Sequence, residues 1–127
     1  MLFDSDVIIE HLRGNAHANH LIKQGPLASI SSITYMEVIK GSYNKDQKQR
    51  WKAFLENFNI NVIHINERIS AKAMFWMDEF FLSYGLEIAD ALVAATADIY
   101  GLPLVTGNIK DYRFLPGLDI KPYKHQP

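Results

Sequence analysis

Apolar residues recur along this chain in two rhythms. Short runs rich in β-branched residues and bounded by Gly, Pro, Ser or Asn read as strands; longer runs with apolar positions three and four apart read as helices. Met1 to Phe3 is a brief apolar start that ends at Asp4, and Val7 to Arg13 follows as a helix stopped near Gly14 and Asn15. Ala16 to Gln24 is a second helical stretch before Gly25 and Pro26, and Leu27 to Ser31 is a strand. Ser32 or Thr34 is placed to cap a helix over Tyr35 to Gly41. Asp46 to Phe58 carries Trp51, Leu55 and Phe58 on one helical face, and Ile60 to Ile65 has the composition of a strand. Glu67 to Tyr84 is a long helix with a stripe of Ile69, Ala73, Trp76, Met77 and Phe80, ended by Gly85. Ile88 to Tyr100 is an alanine-rich helix closed by Gly101. Pro103 to Val105 is a strand running into Thr106-Gly107-Asn108, and Asp119 to Lys121 supplies a last short one. Strands alternating with helices predict an α/β fold, a central parallel β-sheet flanked by helices.

Composition narrows this picture only modestly. With 127 residues the expectation is a single domain over 1–127, large enough to bury a core without staples. There is no cysteine, which removes disulfides and thiolate metal sites. Asp4 interrupts the start too early for a signal peptide, and no apolar run approaches the roughly 18 residues of a membrane span. The expectation is a cytoplasmic protein. A net charge of −1 is not the footprint of a strongly basic nucleic-acid binder. Basic residues gather at Lys40, Lys45, Lys48, Arg50 and Lys52 and again at Lys121, Lys124 and His125, best read as a solvated helix face and a polar tail. Trp51, Phe54, Trp76 and Phe80 read as packing residues rather than base-stacking platforms.

The informative feature is where carboxylates meet apolar segments. Asp4 follows the first strand directly, and Glu37 sits just after the second strand in an apolar helix start. Asp90 stands within Ile88-Ala89-Asp90-Ala91-Leu92-Val93, apolar on every side, and Asp111 comes shortly after the strand at Val105. Ligands bind an open α/β sheet in the crevice at the carboxyl ends of its strands, and Asp4, Glu37 and Asp111 fall at that edge. A helix brings Asp90 there. Taken singly, Asp4 reads as a helix cap, Glu37 as a first-turn acid favoured by the helix dipole, and Asp111 as a turn cap. Asp90 is different, because an unpaired carboxylate on an apolar helix is costly. Several carboxylates in one crevice must either hold protons or hold a cation, and oxygen-only ligands favour Mg²⁺ or Mn²⁺.

At these residues the chain resembles the PIN-domain family, and within it the VapC-type toxins of toxin–antitoxin pairs. The matching segments are Leu2-Phe3-Asp4-Ser5-Asp6-Val7-Ile8-Ile9, Ser32-Ile33-Thr34-Tyr35-Met36-Glu37-Val38-Ile39-Lys40-Gly41, Ile88-Ala89-Asp90-Ala91-Leu92-Val93-Ala94-Ala95-Thr96-Ala97 and Leu104-Val105-Thr106-Gly107-Asn108-Ile109-Lys110-Asp111-Tyr112. Their order and spacing span almost the whole chain. The resemblance implies a PIN-like three-layer sandwich and an Mg²⁺- or Mn²⁺-dependent endoribonuclease. Asp4, Glu37, Asp90 and Asp111 match the family's acidic quartet, which implies both catalytic and metal-holding roles. Ser5, Thr106 and Asn108 match its supporting polar positions. Asn108 stands where some relatives carry another acid, so a second ion is expected to be held weakly. The implied partners are a structured RNA such as tRNA or rRNA, a VapB-type antitoxin and a second copy of the chain. Asp6 is an extra carboxylate, and Glu87 reads as a solvated helix-start acid.

Two other readings compete. Leu2-Phe3-Asp4-Ser5-Asp6-Val7 also resembles the first motif of haloacid-dehalogenase-type phosphatases, where Asp4 would be the nucleophile and Asp6 the general acid. That reading leaves Glu37 and Asp90 without a role. A catalytically silent binding domain is the third possibility, but a naked acidic pocket gives a binder of polyanions nothing.

Overall fold

Leu2 and Phe3 point to opposite faces of a sheet, and the fold is built outward from that alternation. The computed structural model describes residues 1–24 and 27–124. The strands are β1 (Leu2–Phe3), β2 (Ser29–Ser31), β3 (Asn61–Ile63), β4 (Leu104–Thr106) and β5 (Ile120–Pro122). The helices are α1 (Ser5–Leu12), α2 (Ala16–Gln24), α3 (Ser32–Lys40), α4 (Lys45–Asn57), α5 (Glu67–Tyr84) and α6 (Ile88–Tyr100). All strand pairs are parallel, in the order β3-β2-β1-β4-β5.

Each face of the sheet carries its own core. Leu2, Leu104 and Ile63 pack on one side with Ile69, Ala73 and Trp76 of α5 and the alanine face of α6. Phe3, Val105 and Ile30 pack on the other with Val7 and Ile8 of α1, Val38 of α3 and Trp51 and Phe54 of α4. This is the helix–sheet–helix sandwich expected from the alternating elements. The aromatic residues read as packing groups behave so: Trp51, Phe54 and Trp76 are buried, and Phe80 packs against the α5–α6 core. Lys40, Lys45, Lys48, Arg50 and Lys52 are exposed, as are Lys121 and Lys124. Gly25, Pro26 and His125, which entered the sequence reading as a helix stop and part of a basic tail, lie outside the described residues. Among the described residues no helix is long and apolar enough to cross a membrane.

The elements over α2, α5 and α6 have the boundaries expected from the sequence. Helix α4 starts one residue early, at Lys45, and two helices start two or three residues earlier than expected, for one reason. Asp4 accepts from the Ser5 N–H and Ser31 accepts from the Ile33 N–H, so each strand hands directly to a helix without a loop. Helix α1 therefore begins at Ser5 rather than Val7, and α3 at Ser32 rather than Tyr35. The cap of α3 is Ser31, not Ser32 or Thr34. Glu37 consequently lies beyond the first turn of α3, which removes its reading as a first-turn acid.

Strand order positions the site. The chain passes from β1 to β2 on one side and later returns to β4 on the other, so the connections diverge at the carboxyl end of β1. That divergence opens a crevice, and Asp4 is the residue that immediately follows the strand there.

Candidate active site

Asp4 is tied into the crevice from three directions. Phe3 pairs with Val105 in the β1–β4 register, which brings the next residues, Asp4 and Thr106, side by side. The Ser5 N–H donates to Asp4 Oδ1 at 2.8 Å, and Thr106 Oγ1 donates to Asp4 Oδ2 at 2.9 Å. The Tyr112 hydroxyl reaches the same Oδ2 at 3.0 Å and also Asp90 Oδ1 at 3.2 Å. A short 3₁₀ turn over Ile109–Asp111, immediately before Tyr112, folds the chain back after β4 and delivers that hydroxyl. Asp4 is thus both the helix cap anticipated for it and a member of a buried polar cluster.

The other expected residues stand around Asp4 on separate elements, close enough for their charges to interact. Asp90 lies in the first turn of α6, where the helix dipole favours a negative charge. Glu37 projects from α3 and is half-buried. Asp111 is exposed on the 3₁₀ turn. Thr106 does two jobs, donating to Asp4 and accepting the Asn108 N–H at 3.0 Å, which shapes the turn that carries Asp111. Asn108 is exposed, with its backbone rather than its side chain engaged in that turn. Among the described residues no three acids close on a single point; the pair sharing a partner is Asp4 and Asp90.

Electrostatics couple these acids more widely than the hydrogen bonds do. Burial holds the Asp4 carboxyl above the ordinary carboxylate range, against the pull of Thr106, Ser5 and Tyr112, and Asp111 raises it further. Burial and then the Asp4 charge push Glu37 upward, opposed by Ser5 and Lys40. Asp90 is pushed up to about 6, by burial first and then by Asp4, Asp111 and Glu37, with the Tyr112 hydroxyl opposing. Burial and the flanking Asp4 and Asp90 charges raise Tyr112 as well, so its hydroxyl keeps its proton. These groups titrate as a coupled set, and the crevice holds more negative charge than it can stabilise unaided. The donors are all oxygens, which suits a hard divalent ion.

The chemistry of the remaining polar groups separates the readings. Asp6 Oδ2 accepts the Gly107 N–H at 2.8 Å, so this extra carboxylate ties α1 to the loop after β4. That is a structural contact, and it leaves the phosphatase reading without support. Glu87 is an exposed residue at the start of α6 with no side-chain cap bond, the solvated acid expected. Tyr112 is the site residue that reading the acids alone missed. Its one signal in the sequence is a hydroxyl-bearing aromatic directly after Asp111.

The PIN domain family model matches residues 1–114. The chain belongs to the PIN-domain family. It is 35% identical over 114 residues to Ribonuclease VapC10 of Mycobacterium tuberculosis, covering 86% of this chain and 83% of that one. Among solved structures it resembles a chain of a toxin–antitoxin complex from Klebsiella pneumoniae, with a TM-score of 0.80, 33% identity and 98% of each chain covered. It shares its fold with a chain of VapBC2 from Rickettsia felis bound to a promoter DNA fragment, with a TM-score of 0.79 at 20% identity, covering 97% of this chain and 98% of that one.

Proposed function

We propose that this PIN-domain protein is a divalent-metal-dependent endoribonuclease acting as the toxin of a VapBC-type pair in the cytoplasm. The observation that carries the reading is the electrostatic interaction of Asp4, Glu37, Asp90 and Asp111 around one crevice, with Asp4, Glu37 and Asp90 each raised by burial and by the charge of the others. The 35% identity to Ribonuclease VapC10 of Mycobacterium tuberculosis supports the choice of RNA over other phosphodiesters. The phosphatase and the silent binder have no comparable support.

The division of labour follows from position. Asp4, Asp90 and Asp111 are the residues that would hold Mg²⁺ or Mn²⁺. The ion would neutralise the crevice, draw a phosphodiester into it and lower the pKa of the attacking water. Glu37 stands apart from the Asp4–Tyr112–Asp90 cluster on α3, and its raised proton affinity suits it to orient that water and take its proton. Thr106 fixes Asp4, and the Asn108 backbone shapes the turn that presents Asp111. By resemblance to the family, attack on phosphorus would leave 5′-phosphate and 3′-hydroxyl ends.

The expected partners are a structured RNA such as tRNA or rRNA, a second copy of the chain and a VapB-type antitoxin. A groove of about 230 Å³ between α1, α3 and α4 supports the last. Ile9, Leu12, Val38 and Tyr43 line it and Arg13 and Arg50 stand beside them, a surface suited to an apolar segment carrying acids. Expression in a bacterial host tests the toxin role. The wild-type chain should arrest growth and generate new RNA 5′-phosphate ends, while D90N does neither. The product of a neighbouring gene should relieve the arrest. Equal growth of wild-type and D90N cultures, with no new RNA ends, would contradict the proposal.

A further inference from the structure

Tyr112 contains an atom that packing does not explain. Its ring is buried in the α5–α6 core, where a phenylalanine would fill the same space. Its hydroxyl instead sits between two carboxylates that begin more than twenty residues away along the chain, 3.0 Å from Asp4 Oδ2 and 3.2 Å from Asp90 Oδ1. Buried hydroxyls need partners, and here both partners are acids of the crevice.

Counting acceptor positions shows what that placement does. A carboxylate offers about four lone-pair positions, two on each oxygen. On Asp4, Thr106 Oγ1 and the Tyr112 hydroxyl together occupy Oδ2, while Oδ1 takes the Ser5 N–H. One position remains, on Oδ1. On Asp90 the hydroxyl engages Oδ1 and thereby orients the carboxylate. The hydroxyl has a single proton to share between them, lies nearer Asp4 Oδ2, and turns that oxygen and Asp90 Oδ1 toward one point between the end of β1 and the start of α6. Because Tyr112 directly follows Asp111, one turn carries a third acid and the group that aligns the first two.

We propose that Tyr112 is a positioning residue for the divalent ion. Its hydroxyl brackets Asp4 and Asp90 and decides which oxygen of each is left to bind metal. This rests on the ion-binding reading of the crevice and deepens it. Groups that orient metal ligands by hydrogen bonding cost about 10- to 100-fold in metal affinity or activity when removed. Of the two bracketed acids Thr106 touches only Asp4, so its loss should cost less than loss of the tyrosine hydroxyl.

The test is an Mn²⁺ titration followed by electron paramagnetic resonance of the free aquo ion, for wild type, Y112F, T106V and D90N. Melting curves in EDTA establish that each variant folds. Y112F should fold and bind Mn²⁺ at least about tenfold more weakly. Its RNA cleavage should shift to higher Mn²⁺, with the maximal rate and RNA KM recovering at saturation, a pattern that damage to packing would not produce. T106V should show a smaller shift in the same direction. Mn²⁺ affinity of Y112F within twofold of wild type, with D90N abolishing binding, would overturn the bracketing role and leave the ion site intact. Equal Mn²⁺ binding by wild type and D90N would instead bring down the ion-binding reading beneath it. If Y112F does not fold, T106V decides: unchanged affinity there overturns the proposal.

Discussion

The two sides of the crevice are built differently. Asp4 and Asp90 share a buried tyrosine hydroxyl, and Asp4 takes two further donors, so that side is set by the fold before any ligand arrives. Glu37 and Asp111 face the opening, one half-buried on α3 and the other exposed on a 3₁₀ turn, with far fewer constraints. Preorganised charge is effective in catalysis and costly in stability, because carboxylates held close in a buried site repel without a cation. On the proposed reading, Asp4 and Asp90 would supply the fixed part of the metal site, Asp111 its adjustable part, and Glu37 the proton handling.

The largest effect should come from the rigid side. D90N should reduce cleavage to the level seen in EDTA and at the same time raise the melting temperature of the metal-free protein at pH 7. The sign follows from Asp90 being pushed up to about 6 from the ordinary aspartate value of 3.8. A group that binds its proton more tightly in the folded state adds stability while protonated and loses it as pH rises through the folded pKa. Metal-free wild type should therefore lose stability between about pH 4 and 6, while D90N shows a shallower slope. Identical slopes would mean that Asp90 carries none of this strain. A smaller loss is expected from E37Q, about 10²-fold in rate with little change in Mn²⁺ affinity, as for a residue that handles a proton rather than an ion. Weaker Mn²⁺ binding in E37Q would move Glu37 to the ligand side of the comparison.

Asp111 sharpens the contrast further. D111N should weaken Mn²⁺ by roughly tenfold, with cleavage recovering at high metal and the melting temperature unchanged, since the side chain is exposed. Asp6 should matter least to the chemistry. D6A removes the acceptor of the Gly107 N–H and should cost about 1–2 kcal/mol of stability by urea titration. Cleavage should stay within about tenfold of wild type, as for the loss of one hydrogen bond behind the site. Complete loss of activity in a folded D6A protein would revive a direct role for that carboxylate.

Much of this was legible before the fold was known, for identifiable reasons. Helices α5 and α6 end at Gly85 and Gly101, both in the left-handed region, and glycine marks such ends openly. Asp90 stood out because it broke an apolar helix, and the other acids because they followed strands. The early starts of α1 and α3 were hidden because their caps, Asp4 and Ser31, sit at the strand ends, where apolar periodicity has not begun. The Asp4–Thr106 contact depends on Phe3 standing opposite Val105, a register that only strand pairing reveals. Tyr112 was hidden for a similar reason. An aromatic after an acid reads as packing until β1 and α6 are brought to its hydroxyl.

The central claim is that the acids of this crevice cut RNA through a bound divalent ion. The most direct measurement is cleavage of total cellular RNA by purified protein in Mn²⁺ or Mg²⁺, in EDTA, and by D90N under the same metal. The account predicts discrete cuts ending in 5′-phosphates with wild type and metal, and none with EDTA or with D90N. Cuts of the same pattern that persist in EDTA or in purified D90N would contradict it.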